Sequence, residues 1–209
     1  MVDSVFCATT DVVLNAPITP GFTGFNNQIT PLIASTSTNI KNFCRRKFDL
    51  GTYVEYTMSP DGQHRFRIKE APITAGSFVL EYDPTGVFVN PNYVPTTLVE
   101  NIDYIVDYDQ GFITVVTRLR HHMRGLRSTY IGGYAVTNGI LQVPATLVTA
   151  TSIQVAFTLG RIKASAMGEE QQAKARSSLE KFSVSATTGL ISEVQAMLTP
   201  YRAPMVGRH

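Results

Sequence analysis

The sequence predicts an α+β protein, and three observations carry that expectation. Apolar residues recur at helical spacing over about 26–48 and again over about 144–163. Between these stretches, over about 52–134, β-branched and aromatic runs alternate with turn signals. A short amphipathic segment, 190–198, then leads into a Pro-containing closing stretch, 199–209. The expected organisation is a single domain over 1–198 with a β-rich insertion, followed by a C-terminal docking arm.

Residues 1–23 read as irregular, punctuated by Pro17, Pro20 and Gly21. In the first helix Ile29, Ile33, Ile40, Phe43 and Cys44 share a face, with Leu32 beside them. Arg45, Arg46 and Lys47 close it, where cations favour the negative end of the helix dipole. Thr36 and Thr38 lower its intrinsic propensity, so packing must hold it.

In the middle region Tyr53-Val54-Glu55-Tyr56-Thr57 precedes the turn signal Pro60-Asp61-Gly62, and Phe66-Arg67-Ile68 comes next. Phe78-Val79-Leu80-Glu81-Tyr82 is a further strand. The strongest hairpin signal is Tyr104-Ile105-Val106-Asp107-Tyr108, turning through Asp109-Gln110-Gly111 into Phe112-Ile113-Thr114-Val115-Val116. Residues 86–100, with Pro91 and Pro95, read as a long loop. Tyr130-Ile131-Gly132-Gly133-Tyr134 ends the β region, its glycines marking a bulge or turn.

Pro144 suits the first turn of the second helix, where Leu147, Val148, Val155, Leu159 and Ile162 recur. Ile153, Val155, Phe157 and Leu159 also alternate as in a strand; length and the leading proline favour the helix. Residues 167–178 are polar and read as an exposed helix or loop, and 179–187 as extended. In the last helix Ile191, Val194 and Leu198 share a face, and Pro200 ends it.

Charged residues make up only 16% of the chain, well below the usual quarter, so either partners cover much of the surface or neutral Thr, Ser and Asn solvate it. The net charge of +2 is too small to indicate nucleic-acid binding by itself. Its distribution is uneven. Seven acids (Glu70, Glu81, Asp83, Glu100, Asp103, Asp107 and Asp109) and no Lys or Arg lie between 70 and 109. Six bases (Arg118, Arg120, Arg124, Arg127, Arg161 and Lys163) and no acid lie between 110 and 168. These blocks either pair within the fold or face opposite sides of a subunit, where a head-to-tail contact closes into a ring.

Two cysteines, Cys7 and Cys44, do not make a disulfide framework. Met1-Val2-Asp3-Ser4 lacks the basic start and apolar run of a secretory leader, and no apolar stretch reaches bilayer-spanning length. A reducing compartment and no membrane partner are expected.

The residues point away from catalysis. His121 and His122 are neighbours, so on a strand they face opposite ways, and the surrounding arginines repel a divalent cation. Arg118, Arg120, Arg124 and Arg127 suit phosphate contacts better. Asp103, Asp107 and Asp109 lack calcium-loop spacing, and a turn-capping role suits Asp109. No nucleophile elbow, phosphate-binding loop or dinucleotide fingerprint is present. Cys44 beside Arg45 and Arg46 invites a depressed pKa but has no nearby histidine as a base. No enzyme activity, cofactor or metal is expected. The closing stretch Leu198-Thr199-Pro200-Tyr201-Arg202 combines apolar, aromatic and cationic groups suited to docking on another molecule.

In order along the chain, several motifs resemble the head–tail connector (adaptor) proteins of tailed bacteriophages. Asn42-Phe43-Cys44-Arg45-Arg46-Lys47-Phe48 is similar to the end of that family's helix. Ile68-Lys69-Glu70-Ala71-Pro72-Ile73 is like its strand leading to an Ala-Pro step. Tyr104-Ile105-Val106-Asp107 with Gly111-Phe112-Ile113 resembles its hairpin, and Tyr130-Ile131-Gly132-Gly133-Tyr134 the step before Val143-Pro144. Leu198-Thr199-Pro200-Tyr201-Arg202 closes the match, which runs from about Asn26 to Arg202. The Thr-rich second helix and the long 86–100 loop depart from the pattern.

The resemblance implies a small helical bundle carrying β-hairpin projections and an extended C-terminal arm. It implies a virion neck protein, assembled in the host cytoplasm as a ring, usually of twelve copies. Its partners would be the portal protein, neighbouring copies, a downstream neck or tail protein, and the genomic DNA passing through the lumen. Leu198, Pro200, Tyr201 and Arg202 would belong to the portal-docking arm, with Tyr201 burying its ring and Arg202 meeting a carboxylate or carbonyl. Arg118, Arg120, Arg124, Arg127, Asp103 and Asp107 would be candidates for subunit interfaces or the DNA channel. The alternative is a DNA-contacting neck or tail protein that grips phosphates through the Arg-rich loop.

Overall fold

The structure, a computed structural model, describes residues 4–15, 26–59, 62–86, 88, 94–165, 183–185 and 187–203. It is α+β, with four α-helices and three small antiparallel sheets among the described residues. The chain divides into two compact units. A helical unit uses Met1–Arg46 and Ala135–Arg202, and a β unit is built on Lys47–Tyr134. The polar stretch 167–178, most of the extended stretch 179–187, most of the loop between Gly86 and Val94, and Pro204–His209 lie outside the described residues.

The helical unit contains α1 (Thr9–Asn15), α2 (Asn26–Cys44), α3 (Ala145–Ser165) and α4 (Ser192–Leu198), with a 3-10 turn at Thr199–Tyr201. Ile29, Ile33, Ile40 and Cys44 form the buried stripe of α2, and Thr36 and Ser37 are buried within it. Packing does hold this polar-centred helix: the Phe6 N–H donates to Ser37 Oγ at 3.2 Å. The helix stops before the expected end at 48. Arg45 adopts φ 56°, its N–H donates to Asn42 O, and the Arg46 N–H reaches back to Lys41 O. That is a Schellman closure with arginine where glycine is usual.

The strand alternative for 153–159 is resolved in favour of the helix. α3 buries Leu147, Ala150, Val155 and Leu159 together with Thr151, Ser152 and Gln154. Thr151 Oγ1 and Ser152 Oγ donate to the Leu147 and Val148 carbonyls, so their hydroxyls need no outside partner. Gln154 stitches α4 onto α3. Its Oε1 accepts from the Ile191 N–H at 3.0 Å, and its Nε2 donates to Gly189 O at 3.2 Å. Gln154 thus fixes the entry into α4 by taking the backbone N–H of its N-cap residue Ile191, which has no side-chain oxygen to cap the first turn. Cys7, Val12, Ile29, Ile33, Val155 and Leu159 make one continuous cluster.

The β unit is a sandwich. One sheet has the order β1 (Gly51–Ser59), β7 (His122–Gly132), β3 (Val79–Tyr82), β4 (Thr96–Thr97). The other has the order β2 (His64–Arg67), β6 (Phe112–Val115), β5 (Tyr104–Asp107). Leu80, Leu126 and Tyr130 from the first meet Tyr104, Ile113 and Val115 from the second in one core. The turn signal at 60–62 therefore joins strands of different sheets. The β5–β6 hairpin is where the sequence places it, with Gly111 at φ 70°. A two-residue pair, β8 (Val136–Thr137) and β9 (Ile140–Leu141), lies in the helical unit beyond the expected end of the β region. Its Asn138-Gly139 turn has φ of 52° and 79°, as a type I′ hairpin requires.

One buried carboxylate fixes the start of the β unit. Glu70 is 4% exposed and accepts the Lys47 N–H at 2.8 Å and the Phe48 N–H at 3.0 Å. Its own N–H donates to Tyr130 Oη, whose hydroxyl donates to Glu55. Burial and the Glu55 carboxylate both push the Tyr130 phenol upward, so it stays a neutral donor. Glu70→Ala is expected to lower stability by about 2–4 kcal/mol, because two backbone donors lose their acceptor, and Glu70→Gln by less. Urea unfolding followed by circular dichroism checks this; an alanine variant as stable as the parent would contradict it.

Candidate functional site

Three residue groups were singled out by the sequence, and the structure treats them differently. At the C-terminal end, Leu198 is fully buried in the helical unit. It belongs to the core and not to a docking arm, because α4 needs it as its last packing residue. Pro200 is exposed, while Tyr201 and Arg202 are half-buried. The Arg202 guanidinium lies 4.8 Å from the Phe43 ring centre, and buried Arg46 donates through Nη1 to Tyr201 O at 3.5 Å. Tyr201 and Arg202 therefore turn back onto the end of α2.

Cys44 sits in the same corner. Burial pushes its thiol up to about 12, outweighing the pull of Arg46 and Arg202. The depression invited by neighbouring arginines is thus reversed by desolvation, and the thiol is a buried hydrophobe. Cys7 is likewise pushed up to about 12 by burial.

The arginine group is divided. The reading of 118–127 as an exposed loop needs correction, because β7 begins at His122 and carries both Arg124 and Arg127. Arg118, Arg120 and Arg124 are exposed. Arg124 lies 4.6 Å over the Tyr56 ring. The chain between them is pinned: Ser59 Oγ donates to Arg120 O at 2.7 Å, and the Arg120 N–H donates to Tyr82 Oη at 3.0 Å. Arg127 is committed elsewhere. Its Nε and Nη2 grip both Glu81 oxygens at 2.7 Å, and its guanidinium covers the Phe88 ring at 5.0 Å. Adjacent strands bring that pair together, so Arg127 is not available to a phosphate.

The carboxylates serve the turns. Asp103 Oδ2 accepts the Val99 N–H at 2.8 Å, and Asp107 Oδ1 accepts the Gln110 N–H at 2.9 Å. The capping role expected of Asp109 thus falls to Asp107, the residue that opens the turn. Among the described residues no group of three His, Cys, Asp or Glu side chains converges to hold a metal ion. No helix among them is long and apolar enough to cross a membrane.

The sequence reading missed an open groove of about 480 Å³ in the helical unit. Asn39 of α2, Phe157 and Arg161 of α3, and Val184 contribute to its walls. Nothing local marks it, since its walls come from distant segments. Comparisons with known protein families, curated proteins and solved structures found no match.

Proposed function

We propose that the chain is a structural adaptor of the neck of a tailed phage. Copies stand side by side in a ring under the portal, extend the channel through which the genome passes, and present a platform to the next neck or tail component. The role is mechanical and involves no chemical step. The observation that supports it most is the meeting of two motifs on which the resemblance rests. Phe43 and Arg46, from the end of α2, lie against Tyr201 and Arg202, from the chain's closing stretch. Paired in this way, they anchor the closing stretch at a fixed point from which the last residues reach the portal. The portal-contacting segment is then Pro204–His209, with Tyr201 and Arg202 as its root.

Co-sedimentation of the purified chain with the portal protein of the same particle tests this. Joint migration is expected, and separate migration at every mixing ratio would overturn the reading.

A second reading is favoured by the exposure of Arg118 and Arg120, just before β7, and of Arg124 near its start. These three suit DNA phosphates without reading sequence. On this reading the protein binds duplex DNA at low salt, and the triple alanine variant lowers the salt slope by roughly 0.9 per lost contact. Arg127→Ala leaves that slope unchanged. Absence of binding at low salt removes the second reading.

A further inference from the structure

A second group of cations stands on the outer face of the smaller sheet of the β unit. Phe66 packs on the core, so its neighbours on β2, Arg65 and Arg67, point outward. Buried Ile68 and exposed Lys69 continue the alternation past the strand. The registers place Arg65 across from Thr114 and Arg67 across from Phe112 on β6. The same two rows end at Ile105 and Asp107 on β5. The face is therefore cationic at one edge strand, β2, and aliphatic and acidic at the other, β5.

Phe112 holds the cations in place. The Arg65 guanidinium lies 4.0 Å from its ring centre and that of Arg67 5.5 Å, and Arg67 Nε also donates to Gln110 O at 3.0 Å. Stacking positions a guanidinium while leaving its N–H donors for an anion. Arg65 and Lys69 are exposed, and no carboxylate among the described residues forms an ion pair with either. Glu55 meets the Lys69 backbone N–H and the Tyr130 hydroxyl, and Asp107 Oδ1 takes the Gln110 N–H. His64 pairs with Val115 and Ser59 with His122, so the chain crosses between the sheets at this one end both after Ser59 and after Val115. Arg118 and Arg120 belong to the second crossing and lie at the end where β2 begins.

We propose that the outward cations of the β2 edge, Arg65, Arg67 and Lys69, form a contact strip for the phosphate backbone of duplex DNA. Nucleic-acid interfaces are far more positively charged than protein interfaces, whose centres need apolar groups. No apolar side chain points outward on β2. Single strands are held by open aromatic rings on which bases stack, whereas Phe112 is covered by Arg65. The strip therefore meets phosphates and reads no bases. This inference rests on the DNA-contacting reading and adds a surface that lies outside the basic block of the sequence.

The test measures binding of the full chain to a fluorescent random-sequence duplex by anisotropy across a salt series. The parent is expected to bind at low salt, and Arg65→Gln with Lys69→Gln to flatten the salt slope by roughly 1.8, or 0.9 for each lost contact. Arg45→Gln with Arg161→Gln removes equal charge from exposed positions of the helical unit and is expected to leave the slope unchanged. Ile105→Gln, at the far edge of the same face, is expected to leave it unchanged as well. Circular dichroism checks that each variant is folded. A parent slope retained by the β2 pair would overturn the inference while the reading through Arg118, Arg120 and Arg124 stands. An equal loss in the helical-unit pair would also overturn it. So would tighter binding to a single strand of the same length, or to polyglutamate. A parent that binds no duplex at low salt removes both this inference and the DNA-contacting reading, and leaves the adaptor reading to its portal test.

Discussion

Replacing Gly132 by alanine is expected to cost at least about 3 kcal/mol of β-unit stability. A Cβ at this position would lie 2.0 Å from Glu70 O and 2.8 Å from a Tyr130 ring carbon. The first of these is backbone, which a rotamer change cannot move aside. The same stretch is bridged to Ile73, and Glu70 already holds the amides of Lys47 and Phe48. Shifting Glu70 to admit a methyl group would release those donors as well, so the steric and hydrogen-bonding losses add. Gly139 gives the control. It has φ 79° but nothing within 4 Å of its Cβ position, so Gly139→Asn, which tolerates the left-handed region, is expected to stay within about 0.5 kcal/mol of the parent. Equal unfolding midpoints for Gly132→Ala and the parent would show that β7 does not approach Glu70 this closely.

The second large effect is functional. Deleting Pro204–His209 is expected to abolish attachment to the portal while the helical unit keeps its melting temperature, because its core closes at Leu198. Deleting Thr199–His209 is expected to abolish attachment and also to destabilise that unit by about 1–2 kcal/mol, since the Arg202–Phe43 and Arg46–Tyr201 contacts go with it. Comparing the two truncations by calorimetry and by portal co-sedimentation separates anchoring from docking. If the shorter deletion binds portal with unchanged affinity, the docking segment lies elsewhere.

The elements that could be read from the sequence are those whose signals are local. The stripes of α2 and α3 and the β5–β6 hairpin with its glycine turn all appear where periodicity and turn chemistry put them. β7 was harder to see for a physical reason. Its inward positions include Ser128 and Gly132, which break the apolar alternation, and its outward positions carry Arg127 and Ile131. The β8–β9 pair was too short for alternation to register, although Asn138-Gly139 marked it.

The candidate site was legible in composition but not in partnership. Four arginines stood out, yet nothing in the local sequence announced that Arg127 would meet Glu81 on a neighbouring strand. Leu198 looked like part of a tail, but α4 uses it as core. Gln154 carries no local signal, whereas in the fold it fastens Ile191. In each case the deciding partner is distant along the chain, and only the fold brings it near.

The most direct test of the adaptor account is electron microscopy of the purified chain, alone and mixed with portal. The account predicts copies arranged side by side as a closed ring, coaxial with the portal and surrounding an open channel wide enough for duplex DNA. Portal assemblies that carry no added density, or that carry it as scattered single copies without a ring, would contradict it.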